Sequence, residues 1–130
     1  MSDFSDALSV SAAGLKAQAQ RLRHVSENIA NTDTPGYRRK SVPFQLEEAR
    51  PGGPALVRTG RVNLDQSELA QIYDPSHPLA DETGYYDGSN VNLVIEIADA
   101  REAQRSYEAN LKMFDQARQM SASLMDLLRR

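Results

Sequence analysis

A chain of 130 residues with 15 Lys+Arg against 18 Asp+Glu, no cysteine and no tryptophan is one domain's worth of protein with a mild acidic excess. Neutralising phosphates needs a basic face, and the longest basic run is Arg38-Arg39-Lys40, so nucleic acid is not an expected partner; zero cysteines exclude a disulfide scaffold, a thiolate-bound zinc and a cysteine nucleophile. No stretch approaches the roughly 18 apolar residues of a membrane span, and the acidic start Met1-Ser2-Asp3-Phe4-Ser5-Asp6 lacks the basic-then-apolar order of a cleaved signal peptide.

All six prolines fall between Pro35 and Pro78, and every glycine but Gly14 falls between Gly36 and Gly88. Proline removes a helical N–H and glycine costs about 1 kcal/mol in a helix interior, so this confinement predicts a non-helical middle flanked by two helices. The divisions read 1–34 for an N-terminal heptad helix, 35–89 for a turn and small β module, and 90–130 for a C-terminal helix. The acidity belongs to the middle, because the flanking segments are close to charge balance.

In the first segment Leu8, Leu15, Leu22 and Ile29 recur every seven residues, with Ser5, Ala12, Ala19 and Ser26 three places before each. This is a heptad with small residues at a and branched aliphatics at d, and it predicts a helix over 3–31. Ser2 or Asp3 can cap its start, Asn28 and Asn31 tolerate the left-handed conformation that ends helices, and Pro35 forbids continuation. His24 takes heptad position f, opposite the seam, and reads as a solvated surface residue.

The middle reads as short strands. Val42, Phe44 and Leu46 alternate with polar residues, as do Val62 and Leu64; Leu69, Ile72 and Tyr73 suggest another strand, with turns at Pro51-Gly52-Gly53-Pro54 and Gly60. Tyr85-Tyr86 is expected to anchor this module on the helices. The last segment opens on the cap-rich Ser89-Asn90-Val91-Asn92 and predicts a helix over 92–129. Its stripe is Ser106, Tyr107, Asn110, Met113, Phe114, Ala117, Met120, Ser121, Leu124, Leu127 and Leu128. Glu96, Asp99, Arg101, Glu102, Arg105, Glu108 and Lys112 are expected on a solvated or subunit-facing surface. The fold class is therefore mainly α with a small β-rich insert: an elongated molecule whose long terminal helices pair as a coiled-coil-like bundle, each stripe wide enough for more than one neighbour.

Chemistry finds little support. There is no phosphate-binding glycine loop and no Gly-x-Ser-x-Gly elbow. His77 in Asp74-Pro75-Ser76-His77-Pro78 has Asp74, Asp81 and Glu82 nearby, but one histidine offers neither a two-histidine platform nor an acid–base pair, so the loop reads as a solvated turn. No catalytic residue, metal ligand, cofactor or small-molecule substrate is expected.

What stands out is Asn28-Ile29-Ala30-Asn31-Thr32-Asp33-Thr34-Pro35-Gly36-Tyr37 directly after the heptad helix. It reads as a helix stop, a type II turn centred on Pro35-Gly36, and Tyr37 as the anchor that sets the exit direction. This stretch resembles the N-terminal signature of the bacterial flagellar axial family, the rod, hook and hook-associated proteins, whose pattern is close to Ala-Asn-x-x-Thr-Pro-Gly-Tyr. The length suits the short proximal rod proteins. The segment holding Pro75, Pro78, Leu79, Ala80, Asp81, Gly84 and Tyr85 is similar to a Pro-x-x-Pro-Leu-Ala-Asp-x-x-Gly-Tyr segment of one of them, as is Arg105-Ser106-Tyr107-Glu108-Ala109-Asn110. Ile95-Glu96-Ile97-Ala98-Asp99-Ala100 stands where that family more often has Glu-Glu-Met-Val.

The resemblance implies a non-enzymatic structural subunit of the flagellar basal-body rod, transmitting torque through the periplasm. Its implied partners are copies of itself, other rod proteins and the flagellar type III export apparatus, which takes substrates without a cleaved signal peptide. The implied assembly residues are Leu8, Leu15, Leu22 and Ile29 on the first helix, with Arg105, Tyr107, Asn110, Phe114, Ala117 and Leu124 on the last. The alternatives are another short proximal rod protein, which would lack the Pro-Leu-Ala-Asp segment, and a free-standing coiled-coil adaptor or export chaperone.

Overall fold

The computed structural model describes residues 2–129, with side chains from Asp3 onward. Helix α1 runs Ser2–Ala30 and helix α2 runs Leu93–Arg129, each within a residue of its expected bounds. At 1.5 Å per residue they are about 43 and 55 Å long. The cap assigned to the Ser2 side chain lies outside the described residues; Asp3 supplies the acidic group in the first turn of α1. At the start of α2 the Asn92 carboxamide oxygen accepts the Val94 and Ile95 N–H groups at 3.1 and 3.4 Å, as an N-cap should.

The two helices pack as an antiparallel hairpin. Asn28 meets Glu96, Arg21 reaches Asp99 and Glu102, and Gly14 lies against Asn110, so α1 ascends as α2 descends. The line on α1 buried or half-buried in this pairing is Ser11, Gly14, Ala17, Gln18, Arg21, Val25 and Asn28. It is a seven-residue pattern displaced from the leucine heptad: Leu8, Leu15, Leu22 and Ile29 are only half-buried, and Ser5, Ala12, Ala19 and Ser26 are exposed. The heptad found in the sequence is thus a second face of α1, and not the seam of the hairpin. The seam uses small residues because they let two backbones come close. A Cβ on Gly14 would sit 2.7 Å from the Asn110 oxygen, which explains a glycine in mid-helix despite its propensity cost.

On α2, Glu96, Ala103 and Ala117 are buried, and Tyr107, Asn110, Phe114, Ser121 and Leu124 are half-buried. With the half-buried Ser106, seven of the eleven residues of the expected stripe are thus at least partly covered. Met113, Met120, Leu127 and Leu128 remain exposed. Among the described residues the buried apolar side chains are only Ala17, Val25, Ala103 and Ala117. No helix is long and apolar enough to cross a membrane.

The insert forms three separate two-stranded antiparallel pairs. Strand β1 (Lys40–Ser41) pairs with β4 (Asn63–Leu64), β2 (Phe44–Glu48) with β3 (Ala55–Thr59), and β5 (Gln71–Tyr73) with β6 (Tyr85–Asp87). Three corrections to the expected strands follow. Val42, Val62 and Leu69 lie outside any strand, β4 is only the two residues Asn63–Leu64, and β3 was not anticipated. It packs on α1 near Ala13, Lys16, Ala17 and Gln20, half-burying Leu56 and Val57. Its partner β2 is exposed along its whole length, with Leu46 at 78%. Tyr85-Tyr86 is in a strand as expected, but its aromatic contacts are with its own hairpin: Tyr85 lies 5.1 Å from Tyr73 between ring centroids, and Tyr86 stacks on His77 at 3.9 Å.

Candidate functional site

The Asn-rich segment builds the corner where α1 ends, the insert begins and α2 starts. Asn31 donates its side-chain N–H to the Glu27 carbonyl at 2.8 Å, and the Thr32 hydroxyl reaches the Asn28 and Ile29 carbonyls, so side chains satisfy the last turn of α1. Thr34 then donates to the Asn31 carboxamide at 3.0 Å. Pro35 and Gly36 form the expected type II turn: Gly36 has φ +75° and the Tyr37 N–H donates to the Thr34 carbonyl at 3.2 Å. Neither asparagine is left-handed, since among the described residues only glycines have positive φ.

Asn28 corrects the sequence reading most sharply. It is not a cap but a fully buried helical residue, 0% exposed, with both ends of its amide used. Its oxygen accepts the Tyr37 hydroxyl at 2.8 Å and the Lys40 N–H at 2.9 Å; its nitrogen donates to the Lys40 carbonyl at 2.9 Å and to Glu96 Oε2 at 3.3 Å. A side chain that accepts two hydrogen bonds on one atom and donates two from another is a carboxamide. Burial raises the Tyr37 hydroxyl above its ordinary pKa, so it remains a donor through neutral pH.

Glu96, expected on a solvated or subunit-facing surface, is 0% exposed. Oε1 accepts from Arg39 Nε, whose Nη2 also reaches Asp99 at 3.0 Å. Burial works against the Arg39 charge, but the hydrogen bond and charge of Glu96, with Asp99, outweigh it and hold the guanidinium charged more firmly than in water. Glu27 is pulled below the usual carboxylate range by the Lys40 ammonium 3.0 Å away. From the insert side, Gly36 N–H donates to the Asp87 and Gly88 carbonyls, Ser89 Oγ bonds the Thr32 carbonyl, and Asn90 Oδ1 accepts the Arg39 N–H at 2.7 Å. One polar junction thus locks four pieces of chain together.

The Pro-Leu-Ala-Asp segment is a second ordered turn. Asp81 Oδ1 accepts Thr83 Oγ1 at 2.6 Å, Thr83 N–H at 2.9 Å and Tyr85 N–H at 3.1 Å; the Thr83 hydroxyl, then the Tyr85 amide, lower its pKa. Gly84, at φ +88°, turns beneath Tyr73 and Pro75 where a Cβ would sit 2.8 Å from the Tyr73 ring. Ala80 is half-buried, whereas Pro75, Pro78, Leu79 and Tyr85 are exposed. His77, expected in a solvated turn, is half-buried, accepts the Leu79 N–H through Nδ1 and stacks on Tyr86. His24 is also corrected: its side chain is 18% exposed, tucked beside Glu27 and under β1 and Val42. Among the described residues no cluster of His, Asp or Glu could hold a metal ion.

Of the expected assembly residues, Leu8, Leu15, Leu22 and Ile29 form a half-buried flank of α1, whereas Tyr107, Asn110, Phe114, Ala117 and Leu124 of α2 are buried or half-buried on the side that faces α1, and Arg105 is exposed. Sequence reasoning missed the pairing of half-buried Arg39 with buried Glu96. The charge pattern resembled any solvated helix face, and the partners are 57 residues apart.

What the structure presents is a hairpin with a locked corner and open flanks, and the comparisons give the class to which it belongs. A family described as "Flagella basal body rod protein" matches residues 8–38, ending just past Tyr37, and one described as "Flagellar basal body rod FlgEFG protein C-terminal" matches residues 82–127. The flagellar basal-body rod protein FlgC of Agrobacterium fabrum is 44% identical over 99% of this chain and 98% of its own length. Those of Salmonella typhimurium and Aquifex aeolicus are 32% and 36% identical over 91% and 88% of this chain. The chain therefore belongs to the FlgC family of flagellar basal-body rod proteins. Its role is that of a structural rod subunit and not an enzyme, which sets aside the adaptor and chaperone alternatives.

The corner itself carries a testable consequence. At Gly36 an added Cβ meets nothing within 4 Å, so the cost of substitution is conformational alone. A β-branched residue held at φ +75° is strained by about 1–2 kcal/mol, and asparagine by less. Gly36→Val is expected to reduce swimming-ring diameter more than Gly36→Asn; equal diameters would contradict a strained left-handed corner.

Proposed function

We propose that this subunit belongs to the proximal rod, where it carries motor torque across the periplasm, and that it is built in through the outer faces of its two helices. The observation that carries this reading is the apolar surface a single chain leaves uncovered. Along α1 the half-buried Leu8, Leu15, Leu22 and Ile29 are flanked by exposed Ser5, Ala12, Ala19 and Ser26, a heptad face that the described residues cover only in part. On α2, Ile95, Met113, Met120 and Leu127 are more than half exposed, and Val94 reaches 76%. Large apolar residues in continuous stripes on a monomer mark interaction surfaces. The seven-residue spacing favours coiled-coil-like packing against helices of other copies and other rod proteins.

The same features suit passage through the flagellar type III export apparatus as an unfolded chain, since so little apolar surface is closed within the subunit. In this reading Asn28, Asn31, Thr34, Pro35, Gly36 and Tyr37 fix the corner, Asp81 and Gly84 shape a loop that presents Leu79, and the helices make the subunit contacts.

Leu15→Asp or Leu22→Asp would put a carboxylate into a face destined for burial, at a cost of about 2–5 kcal/mol. Rods seen by electron microscopy and swimming should be lost, while the subunit still leaves the cytoplasm. Normal swimming in both variants would contradict the assignment of this face.

A further inference from the structure

We infer that the buried node of Asn28, Arg39 and Glu96, and not the seam between the helices, sets the axial register of α1 against α2. This inference concerns the hairpin itself and stands whether or not its outer faces are assembly surfaces.

Every close approach along the hairpin obeys a single register: Asn28 meets Glu96, Gly14 meets Asn110, and Ala7 and Ala117 line the same groove. Apart from the ion pairs of Arg21 with Asp99 and Glu102, which are long at 3.5 Å and partly exposed and so contribute little, the seam does not require that register. Its buried residues are small, and on α2 Ala103, Asn110 and Ala117 repeat at the heptad interval. Sliding α2 by one heptad, about 10 Å, would place Gly14 opposite an alanine in either direction. An alanine is smaller than Asn110, whose amide leaves no room for a Cβ on Gly14, so the close approach would be kept. Small-residue packing therefore tolerates at least three registers of similar quality.

The node does not. A slide in either direction separates Asn28 from Glu96 by a full heptad. It breaks the hydrogen bond between Asn28 Nδ2 and Glu96 Oε2, and takes a fully buried carboxylate away from Arg39. A single buried polar position is the device by which paired helices select one alignment among several, because the wrong alignment leaves a polar group without a partner while an apolar position would accept it. Here the polar position lies at one end of each helix, where α1 stops and α2 begins, so correct pairing is verified at the corner and transmitted along an undemanding seam.

The experiment uses the absence of cysteine. Two full-length versions are made, one with the native node and one carrying Asn28→Leu, Arg39→Met and Glu96→Met, which replaces the polar groups by apolar ones of similar size. In each, Ala7→Cys is combined either with Ala117→Cys, reporting the present register, or with Leu124→Cys, reporting α2 slid by one heptad. Dilute protein is oxidised and the initial rates of intrachain disulfide formation are compared by gel mobility. Each ratio is taken within one node background, so it reports register even where the hairpin forms transiently.

With the native node, Ala7–Ala117 closure should exceed Ala7–Leu124 closure by at least about tenfold; with the apolar node the two should come within about threefold. The substitutions leave the ties at Gly36 and Ser89 intact. An unchanged ratio in the apolar version would overturn the inference and give register selection to those ties or to the seam. Equal closure in the native version would overturn it as well.

Discussion

Glu96→Ala is expected to abolish rods and swimming. The carboxylate is fully buried and ties α2 to both Asn28 on α1 and Arg39 on the insert. Its loss opens a cavity, takes a partner from the Asn28 amide and leaves Arg39 with Asp99; breaking such a pair costs about 3–5 kcal/mol. At about 1.4 kcal/mol per factor of ten, that lowers the population of correctly closed hairpin by roughly two to three orders of magnitude. Arg39→Ala should be at least as severe, because it leaves the fully buried Glu96 carboxylate with the Asn28 amide but no counter-charge, whereas after Glu96→Ala the partly exposed Arg39 keeps Asp99. The double change Glu96→Met with Arg39→Met should recover part of the lost basal bodies, since removing both charges removes the unpaired one. Basal bodies counted by electron microscopy report all three, and wild-type numbers in Glu96→Ala would contradict a structural role for the node.

The parts of this fold that local chemistry dictates were legible beforehand. Proline and glycine confinement, periodicity and cap residues together placed both helices to within a residue, Pro35-Gly36 located the type II turn, and the cap of α2 falls in the cap-rich stretch Ser89-Asn90-Val91-Asn92. The phase of α1 against α2 was not legible. Hydrophobic periodicity finds the face with the largest apolar side chains, and on α1 that face is Leu8 to Ile29. Within one chain the closest contact is instead made by Ser11, Gly14 and Ala17, which carry almost no hydrophobic signal. Gly14 was the available clue: a glycine kept in an otherwise unbroken helix marks close backbone approach.

Asn28 and Glu96 were misplaced for a related reason. An asparagine at a helix end and a glutamate near a helix start are ordinary surface residues by local rules, and only the 68-residue pairing between them creates the buried node. Strand β3 was missed although Leu56, Val57 and Thr59 follow directly on the Pro-Gly-Gly-Pro turn. That run makes β2–β3 the longest hairpin of the insert.

The second large effect concerns the isolated chain. Three alanines and one valine are the only apolar side chains buried among the described residues. Burial contributes about 25 cal/mol per Å² of apolar surface, so such a core offsets little of the roughly 1–2 kcal/mol of backbone entropy lost for each ordered residue. The polar corner adds specificity more than net stability, since its charges are desolvated as they pair. Neighbouring helices in the rod would cover Leu8 to Ile29 on α1 and Met113 to Leu127 on α2 and supply what one chain lacks.

The most direct test of a subunit completed by its neighbours is far-ultraviolet circular dichroism of the dilute purified chain, with limited proteolysis alongside. The 29- and 37-residue helices amount to about half of the 130-residue chain. A rod-completed subunit predicts helix content well below that half, no cooperative thermal transition, and trimming at both termini first. A fully helical, cooperatively melting, protease-resistant monomer would contradict it.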